Sequence, residues 1–140
     1  MSDSSTPPIR ILLVDDHPVV RYGVKHMLDA EPDIEVVGEL DGMRGIDDAL
    51  RTLEPDVVLL DLELGDIQGE DALRQLREIA PELTVIVYPS HDEEEYIIQA
   101  AELAFDGYLL KGSPKEEIVG AVRSVFEGGS AIESAVAAKL

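Results

Sequence analysis

One apolar stretch decides the fold of this chain, the sequence DVVLLDL at residues 56–62. Its four central residues, Val57 to Leu60, are all apolar and lie between two aspartates. A run this short and this apolar is typical of a strand that is buried on both faces of a sheet. Such a strand needs helices above and below it, so the flanking segments should alternate between helix and strand.

The sequence on either side supports this alternation. Four further short apolar runs are predicted to be strands, at residues 9–14, 34–38, 85–88 and 107–110. Apolar residues at helical spacing predict five helices, near residues 18–31, 43–53, 72–79, 92–103 and 113–126. Five strands that alternate with five helices predict an α/β fold, (βα)5, in which a parallel sheet is doubly wound with helices.

Composition excludes several classes of protein. The 140 residues carry 30 Asp and Glu against 11 Lys and Arg, a net charge of −19, so we expect no direct binding to nucleic acid. There is no Cys, which excludes disulfide scaffolds and thiol nucleophiles. No apolar run is long enough to span a membrane, and residues 1–8 lack the features of a secretory signal. We therefore expect a cytoplasmic domain with no membrane partner.

Candidate functional residues follow the predicted strands. Ligands of open parallel sheets bind beyond the carboxyl ends of the strands, and the residues at those ends are Asp15, Asp16, Asp61, Pro89, Ser90 and Lys111. Three converging carboxylates repel one another unless a cation joins them, and ligands that are all oxygen favour Mg²⁺. Lys111 would balance the charge of a bound phosphoryl group. Asp61 is the best candidate nucleophile, because a carboxylate can form an acyl phosphate.

The three histidines show no ligand spacing among themselves. We therefore expect His17, His26 and His91 at the surface. His17 directly follows the aspartate pair, so it is the one that could line the mouth of the site.

Three ordered motifs resemble the receiver domain of bacterial response regulators. They are ILLVDDHP at 11–18, DVVLLDL at 56–62 and GYLLK at 107–111. Together with HDEEEY at 91–96 they are most similar to the NarL/FixJ type, whose output is a LuxR-type helix-turn-helix domain. The resemblance covers residues 9–127 and implies a flavodoxin-like receiver fold with five strands in the order 2-1-3-4-5.

The resemblance also implies roles for single residues. Asp61 would accept a phosphoryl group from a sensor histidine kinase. Asp16 would bind Mg²⁺ directly and Asp15 partly through water, with Asp61 and the backbone carbonyl of Glu63 as further ligands. Lys111 would pair with the phosphoryl oxygens. Such a domain is a signalling protein and not an enzyme, apart from self-catalysed phosphotransfer and autodephosphorylation.

The predicted switch departs from the family pattern. Tyr108 would be the aromatic that moves between surface and interior. In the family this movement is linked to the phosphoryl group through a Thr or Ser at the end of strand four. Here that position is Pro89, which has neither a hydroxyl nor an N–H, and the neighbouring Ser90 is the remaining candidate. Phe105 adds a bulky ring next to the switching face. An alternative function is therefore an atypical receiver that works as a dimerisation or interaction module, with weak or no coupling to phosphorylation.

The expected domain organisation follows from the same resemblance. We expect residues 1–8 to be a disordered lead, 9–127 the receiver domain, and 128–140 the start of a linker toward a C-terminal effector domain absent from this chain. The parent would regulate transcription, form a homodimer and bind DNA only through that effector domain.

Two readings from other classes fit less well. Aspartyl phosphatases also place an Asp after an apolar strand, but they need a second Asp where this chain has Glu63. A flavodoxin-like flavin protein would need a phosphate loop after the first strand, where Asp15 and Asp16 would repel the phosphate.

Overall fold

Within the described part of the chain strands and helices alternate as the sequence pattern predicts, and the segment between the fourth and fifth strands lies outside that part. The structure, a computed structural model, describes residues 6–65, 67, 69–89, 105–128 and 131–132. Its elements are β1 (Ile9–Val14), α1 (Pro18–Asp29), β2 (Ile34–Leu40), α2 (Ile46–Leu53), β3 (Val57–Leu60), α3 (Gly69–Ile79), β4 (Thr84–Val87), β5 (Gly107–Tyr108), α4 (Lys115–Phe126) and β6 (Ala131–Ile132). The helix predicted near 92–103 and the candidate residue Ser90 lie outside the described residues.

The described strands form one parallel sheet in the order β2-β1-β3-β4-β5-β6. This confirms the predicted order of the first five strands. The two-residue strand β6 extends the sheet beyond β5, an addition that the sequence pattern did not predict. The register of β1 against β2 shifts between Ile11 and Leu12. Val37 of β2 has no partner in β1 at this point, as in a β-bulge.

The apolar core lies on both faces of the sheet, because successive side chains of a strand point in opposite directions. Val58 and Leu60 of β3 belong to the cluster that also contains the inward residues of α2 and α3. Val57 and Leu59 belong to the second cluster, which contains the inward residues of α1 and α4. All four side chains of β3 are buried, and burying each one contributes about 1.5–3 kcal/mol.

Backbone hydrogen bonds continue one to three residues beyond the ends of several strands. The N–H of Asp61 donates to the carbonyl of Val14 at 2.9 Å, and the N–H of Asp15 donates to Leu40 at 3.0 Å. The N–H of Lys111 donates to the carbonyl of Pro89 at 2.9 Å. Each of these end residues is therefore tied by a backbone hydrogen bond to the neighbouring strand end.

Some predicted boundaries shift. The fifth strand ends at Tyr108, two residues earlier than the apolar run suggests. The last described helix begins at Lys115 with Pro114 in the capping position, so Ser113 lies before the helix. The Ser113 hydroxyl instead donates to the carbonyl of Leu110 at 2.6 Å. Among the described residues, no helix is long and apolar enough to cross a bilayer.

Candidate functional site

Asp61 lies at the centre of the carboxyl-end edge of the sheet, directly after β3. Its side chain is fully buried, and Oδ1 accepts a hydrogen bond from the backbone N–H of Glu63 at 2.9 Å. Oδ2 lies 2.8 Å from Nζ of Lys111. Burial raises the pKa of the Asp61 carboxyl above its ordinary value, although Lys111 and the Glu63 N–H favour the charged form. The protein therefore holds this carboxylate where its charge is poorly solvated.

Asp15 and Asp16 follow β1 and face the same edge. Asp15 is buried, and its Oδ1 accepts a hydrogen bond from the N–H of His17 at 2.8 Å and lies 3.4 Å from Lys111 Nζ. Oδ2 of Asp16 accepts a hydrogen bond from the N–H of Gly65 at 3.0 Å, which ties the β1 end to the loop after β3. Oδ1 of Asp16 is buried and has no hydrogen-bond partner among the described residues. A buried carboxylate oxygen without a donor is a position that a cation would satisfy.

Lys111 connects the acidic residues across the sheet. Its side chain is 7% exposed, and its Nζ lies within 3.4 Å of both Asp15 and Asp61. The charge of one ammonium is less than that of the three carboxylates around it, so the site keeps an excess of negative charge. A bound cation would reduce that excess.

His17 is the residue at the site that the sequence analysis left open. Its side chain is 45% exposed, and its Nδ1 lies 2.9 Å from Oδ1 of Asp15 and 2.9 Å from Oδ1 of Asp16. The distance between His17 Nδ1 and Asp16 Oδ1 is short, but the angles do not make a hydrogen bond. Asp16 Oδ1 therefore has no hydrogen-bond partner among the described residues. The hydrogen bond to Asp15 raises the pKa of the imidazole above its ordinary value. The position of His17 directly after the aspartate pair was the only sequence signal for this placement.

The donor atoms fit a small divalent cation. Asp15, Asp16, His17 and Asp61 each offer one ligand atom, and these atoms all lie within 4.8 Å of one another. Carboxylate oxygens are the ligands that Mg²⁺ prefers, and the unpartnered oxygen of Asp16 belongs to this set. Glu63 is held beside them by its hydrogen bond to Asp61.

Two of the predicted switch residues, Tyr108 and Pro89, lie within the described part of the chain. Tyr108 in β5 is fully buried and belongs to the core between the sheet and helices α2 and α3. The ring of Phe105 packs against it, with ring centroids 5.6 Å apart and planes inclined by 59°. Pro89 is buried two residues after the end of β4, and its carbonyl accepts a hydrogen bond from the backbone N–H of Lys111. The structure therefore holds Tyr108 inside the core, and the correspondence of Pro89 to a hydroxyl position of the family stays a prediction.

Comparison with known proteins identifies the family. The model of the response regulator receiver domain matches residues 11–123. The chain is 36% identical over 134 residues to the response regulator protein VraR of Staphylococcus epidermidis, which covers 94% of this chain and 63% of that protein. It is 37% identical over 134 residues to the nitrate/nitrite response regulator protein NarL of Escherichia coli K12, which covers 95% of this chain and 62% of that protein. The chain thus spans less than two thirds of the length of these relatives.

A solved structure agrees with these matches. The crystal structure of a LuxR-family two-component response regulator from Aurantimonas sp. SI85-9A1 superposes with a TM-score of 0.87 at 30% identity. The superposition covers 94% of each chain. Fold, sequence motifs and family model therefore lead to one conclusion: this chain belongs to the response regulator receiver domain family and is the receiver domain of a two-component response regulator of the NarL type.

Proposed function

We propose that this receiver domain is controlled by phosphorylation of Asp61. The observation that carries the proposal is the contact of Asp61 Oδ2 with Lys111 Nζ at 2.8 Å inside a cluster of carboxylates. A carboxylate that is buried, poorly solvated and beside a fixed ammonium is suited to react with a phosphoryl group. Because the chain belongs to the receiver family, we propose that a sensor histidine kinase donates the phosphoryl group.

The proposed reaction is a phosphoryl transfer between two side chains. A carboxylate oxygen of Asp61 attacks the phosphorus of a phosphohistidine, and the P–N bond breaks with its electron pair remaining on the histidine nitrogen. The product is an acyl phosphate on Asp61. Lys111 lies within 2.8 Å of the reacting carboxylate, so its ammonium can neutralise charge on the phosphoryl oxygens as the transfer proceeds.

A divalent cation, which we propose to be Mg²⁺, would complete the site. Its ligands would be Asp15, Asp16, Asp61 and the backbone carbonyl of Glu63, and the unpartnered Oδ1 of Asp16 supports this assignment. When bound, the cation supplies positive charge that lowers repulsion between the carboxylates and an incoming phosphoryl dianion. The protein itself orients Asp61 through the Glu63 N–H and positions Asp16 through the Gly65 N–H.

Labelling with a small phosphodonor tests the assignment of Asp61. The chain would be incubated with Mg²⁺ and radiolabelled acetyl phosphate, and wild type should carry an acid-stable, hydroxylamine-sensitive label. Asp61→Asn should abolish the label, whereas Asp48→Asn, which alters an exposed carboxylate on α2, should keep it. Label that persists in Asp61→Asn would show that another residue is the acceptor.

A second candidate function is an interaction module that phosphorylation influences weakly. The buried position of Tyr108 against Phe105, together with Pro89 in place of a hydroxyl residue, favours this alternative. Beryllofluoride with Mg²⁺ is a stable phosphoryl mimic, and it distinguishes the two functions. Chemical-shift changes that extend from Asp61 to Tyr108, with a change in oligomer state, support phosphorylation control. Changes confined to the neighbourhood of Asp61 support the interaction module.

The role of this domain in a longer protein is also a proposal. We propose that residues 9–127 form the receiver and that it controls a DNA-binding output domain outside this chain. The similarity to NarL and VraR, of which the chain spans less than two thirds, supports this organisation. In such a regulator the phosphorylated receiver would form a homodimer that places two output domains on DNA.

A further inference from the structure

The side chain of Arg21 joins three elements next to the acidic edge of the sheet. Arg21 lies in the first turn of α1, and its Nη1 donates a hydrogen bond to the backbone carbonyl of Asp15, directly after β1. Nε of the same guanidinium donates to Oε1 of Glu39 in β2 at 3.2 Å. One planar group therefore connects α1 with the end of β1 and with β2.

The carbonyl that Arg21 holds belongs to the peptide group between Asp15 and Asp16. The N–H of Asp15 donates to the carbonyl of Leu40 at 3.0 Å, so both backbone polar groups of Asp15 are hydrogen-bonded. A peptide group is planar, and a carbonyl that is held in place also fixes the N–H and the Cα of the next residue. Arg21 therefore helps to set the direction in which the Asp16 side chain leaves the backbone.

The Asp16 carboxylate depends on that direction. Its Oδ2 accepts a hydrogen bond from the Gly65 N–H at 3.0 Å, while its Oδ1 faces the cluster and lies 2.9 Å from Nδ1 of His17. The side chain is still 30% exposed, so it has room to turn toward solvent. A rotation of the peptide before Asp16 would move both oxygens away from these positions.

We propose that Arg21 is a positioning residue of the cation site, which orients the Asp16 carboxylate through the peptide between Asp15 and Asp16. Residues that orient metal ligands typically change metal affinity by about 10–100-fold when they are substituted. The inference rests on the proposed function, in which Asp16 is a ligand of Mg²⁺.

The charge of Arg21 and its orienting role have opposite effects on Mg²⁺ binding. A guanidinium close to the site repels a divalent cation, so the loss of its charge alone would tighten Mg²⁺ binding. Loss of the hydrogen bond to the Asp15 carbonyl would weaken binding, because Asp16 would no longer be held in place. The sign of the change in affinity therefore separates the two roles.

Calorimetric titration with Mg²⁺ measures this sign. Arg21→Gln should weaken Mg²⁺ binding by about tenfold or more, although it removes a positive charge. Arg21→Lys keeps the charge but lacks the planar fork, and it should also weaken binding. Lys25→Gln is the matched control, because it removes a positive charge from the same helix, where Lys25 pairs with Asp29 at 2.8 Å. This control should not weaken binding.

Thermal unfolding without Mg²⁺ verifies that the variants are folded. If Arg21→Gln is unfolded, the charge-preserving Arg21→Lys provides the test. A second measurement needs no metal: a hydrogen bond to a carbonyl polarises its peptide group, so the backbone ¹⁵N resonance of Asp16 should move in Arg21→Gln and stay in place in Lys25→Gln.

Unchanged or tighter Mg²⁺ binding in a folded Arg21 variant would overturn the positioning role. Failure of the cation site gives a different result, in which Asp16→Asn leaves Mg²⁺ binding unchanged. That result would reject Asp16 as a ligand, and the inference about Arg21 with it.

Discussion

Nζ of Lys111 lies 2.8 Å from Oδ2 of Asp61, although 50 positions of sequence separate the two residues. Both side chains are buried, at 7% and 0% exposure. Asp61 follows β3 and Lys111 lies beyond β5, so the ion pair bridges the end of β4, the strand between them. The site therefore depends on the correct assembly of three neighbouring strands.

Loss of the Lys111 ammonium should destabilise the fold. Lys111→Met should lower the free energy of unfolding by about 3 kcal/mol at neutral pH, because it leaves buried carboxylates without their compensating charge. Urea denaturation measures this difference. The control is Lys115→Met, which removes an exposed partner of Glu31 at 3.1 Å and should cost less than about 1 kcal/mol. Equal effects of the two substitutions would contradict the importance of the buried pair.

Asp61 should make stability depend on pH in a direction set by its raised pKa. The native state binds this proton more tightly than the unfolded chain, because burial raises the pKa of the carboxyl. Its contribution to stability is therefore present below the unfolded pKa and is lost as pH rises through the folded pKa. Asp61→Asn avoids this loss, so the stability of the variant relative to wild type should increase through that pH window and then remain constant.

Denaturation at a series of pH values, without divalent cations, measures the effect of Asp61→Asn. Asp48→Asn provides the control, since the Asp48 side chain is 82% exposed. The difference in the free energy of unfolding between Asp48→Asn and wild type should change little with pH. A similar pH dependence for both variants would show that general charge repulsion, and not the buried site, is responsible.

Gly69 should not tolerate a side chain. A Cβ at this position would clash with the backbone oxygen of Leu62, the residue directly after Asp61. Gly69→Ala should therefore displace the loop after β3 and destabilise the fold by about 1–3 kcal/mol, the usual cost of overpacking. Gly120→Ala is the matched control within α4, where a Cβ would meet no described atom within 4 Å. This substitution should stabilise the helix by up to about 1 kcal/mol. Thermal or urea unfolding of both variants would reveal opposite signs.

Phe105 should keep Tyr108 inside the protein. Phe105→Ala removes an aromatic contact that is worth about 0.5–1.5 kcal/mol beyond the area it buries, and Tyr108 should become accessible to reagents. Nitration followed by mass spectrometry measures this accessibility. Tyr22 is 73% exposed and serves as an internal control that reacts in both proteins. If Tyr108 is equally protected from nitration in Phe105→Ala, then β5 itself, and not the neighbouring ring, keeps the tyrosine buried.

Much of the fold could be predicted because apolar periodicity reports burial directly. The four apolar residues of β3 predicted a strand covered on both faces, and the structure buries all four. Parallel strands end at a common edge, so Asp15, Asp61 and Lys111 could be expected near one another before any distance was known. Boundaries were less predictable: β5 ends at Tyr108, although the apolar Leu109 is buried in the core and Leu110 packs against it.

Other features depend on contacts between distant segments, which no local pattern contains. The strand β6 exists only by pairing with β5, and its two residues have no distinctive apolar pattern. Phe105 and Tyr108 are close in sequence, but their contact depends on the core against which both rings pack.

The sequence by itself determined the order of strands and helices and the acidic residues at the strand ends, because both follow from local chemistry and chain direction. The tertiary structure decided how those residues meet. It placed Lys111 against Asp61, left Oδ1 of Asp16 without a hydrogen-bond partner among the described residues, and put the His17 nitrogen among three carboxylates. The physical reason is that these distances are set by the packing of β1, β3, β4 and β5 side by side, while spacing along the chain specifies only which residues end each strand.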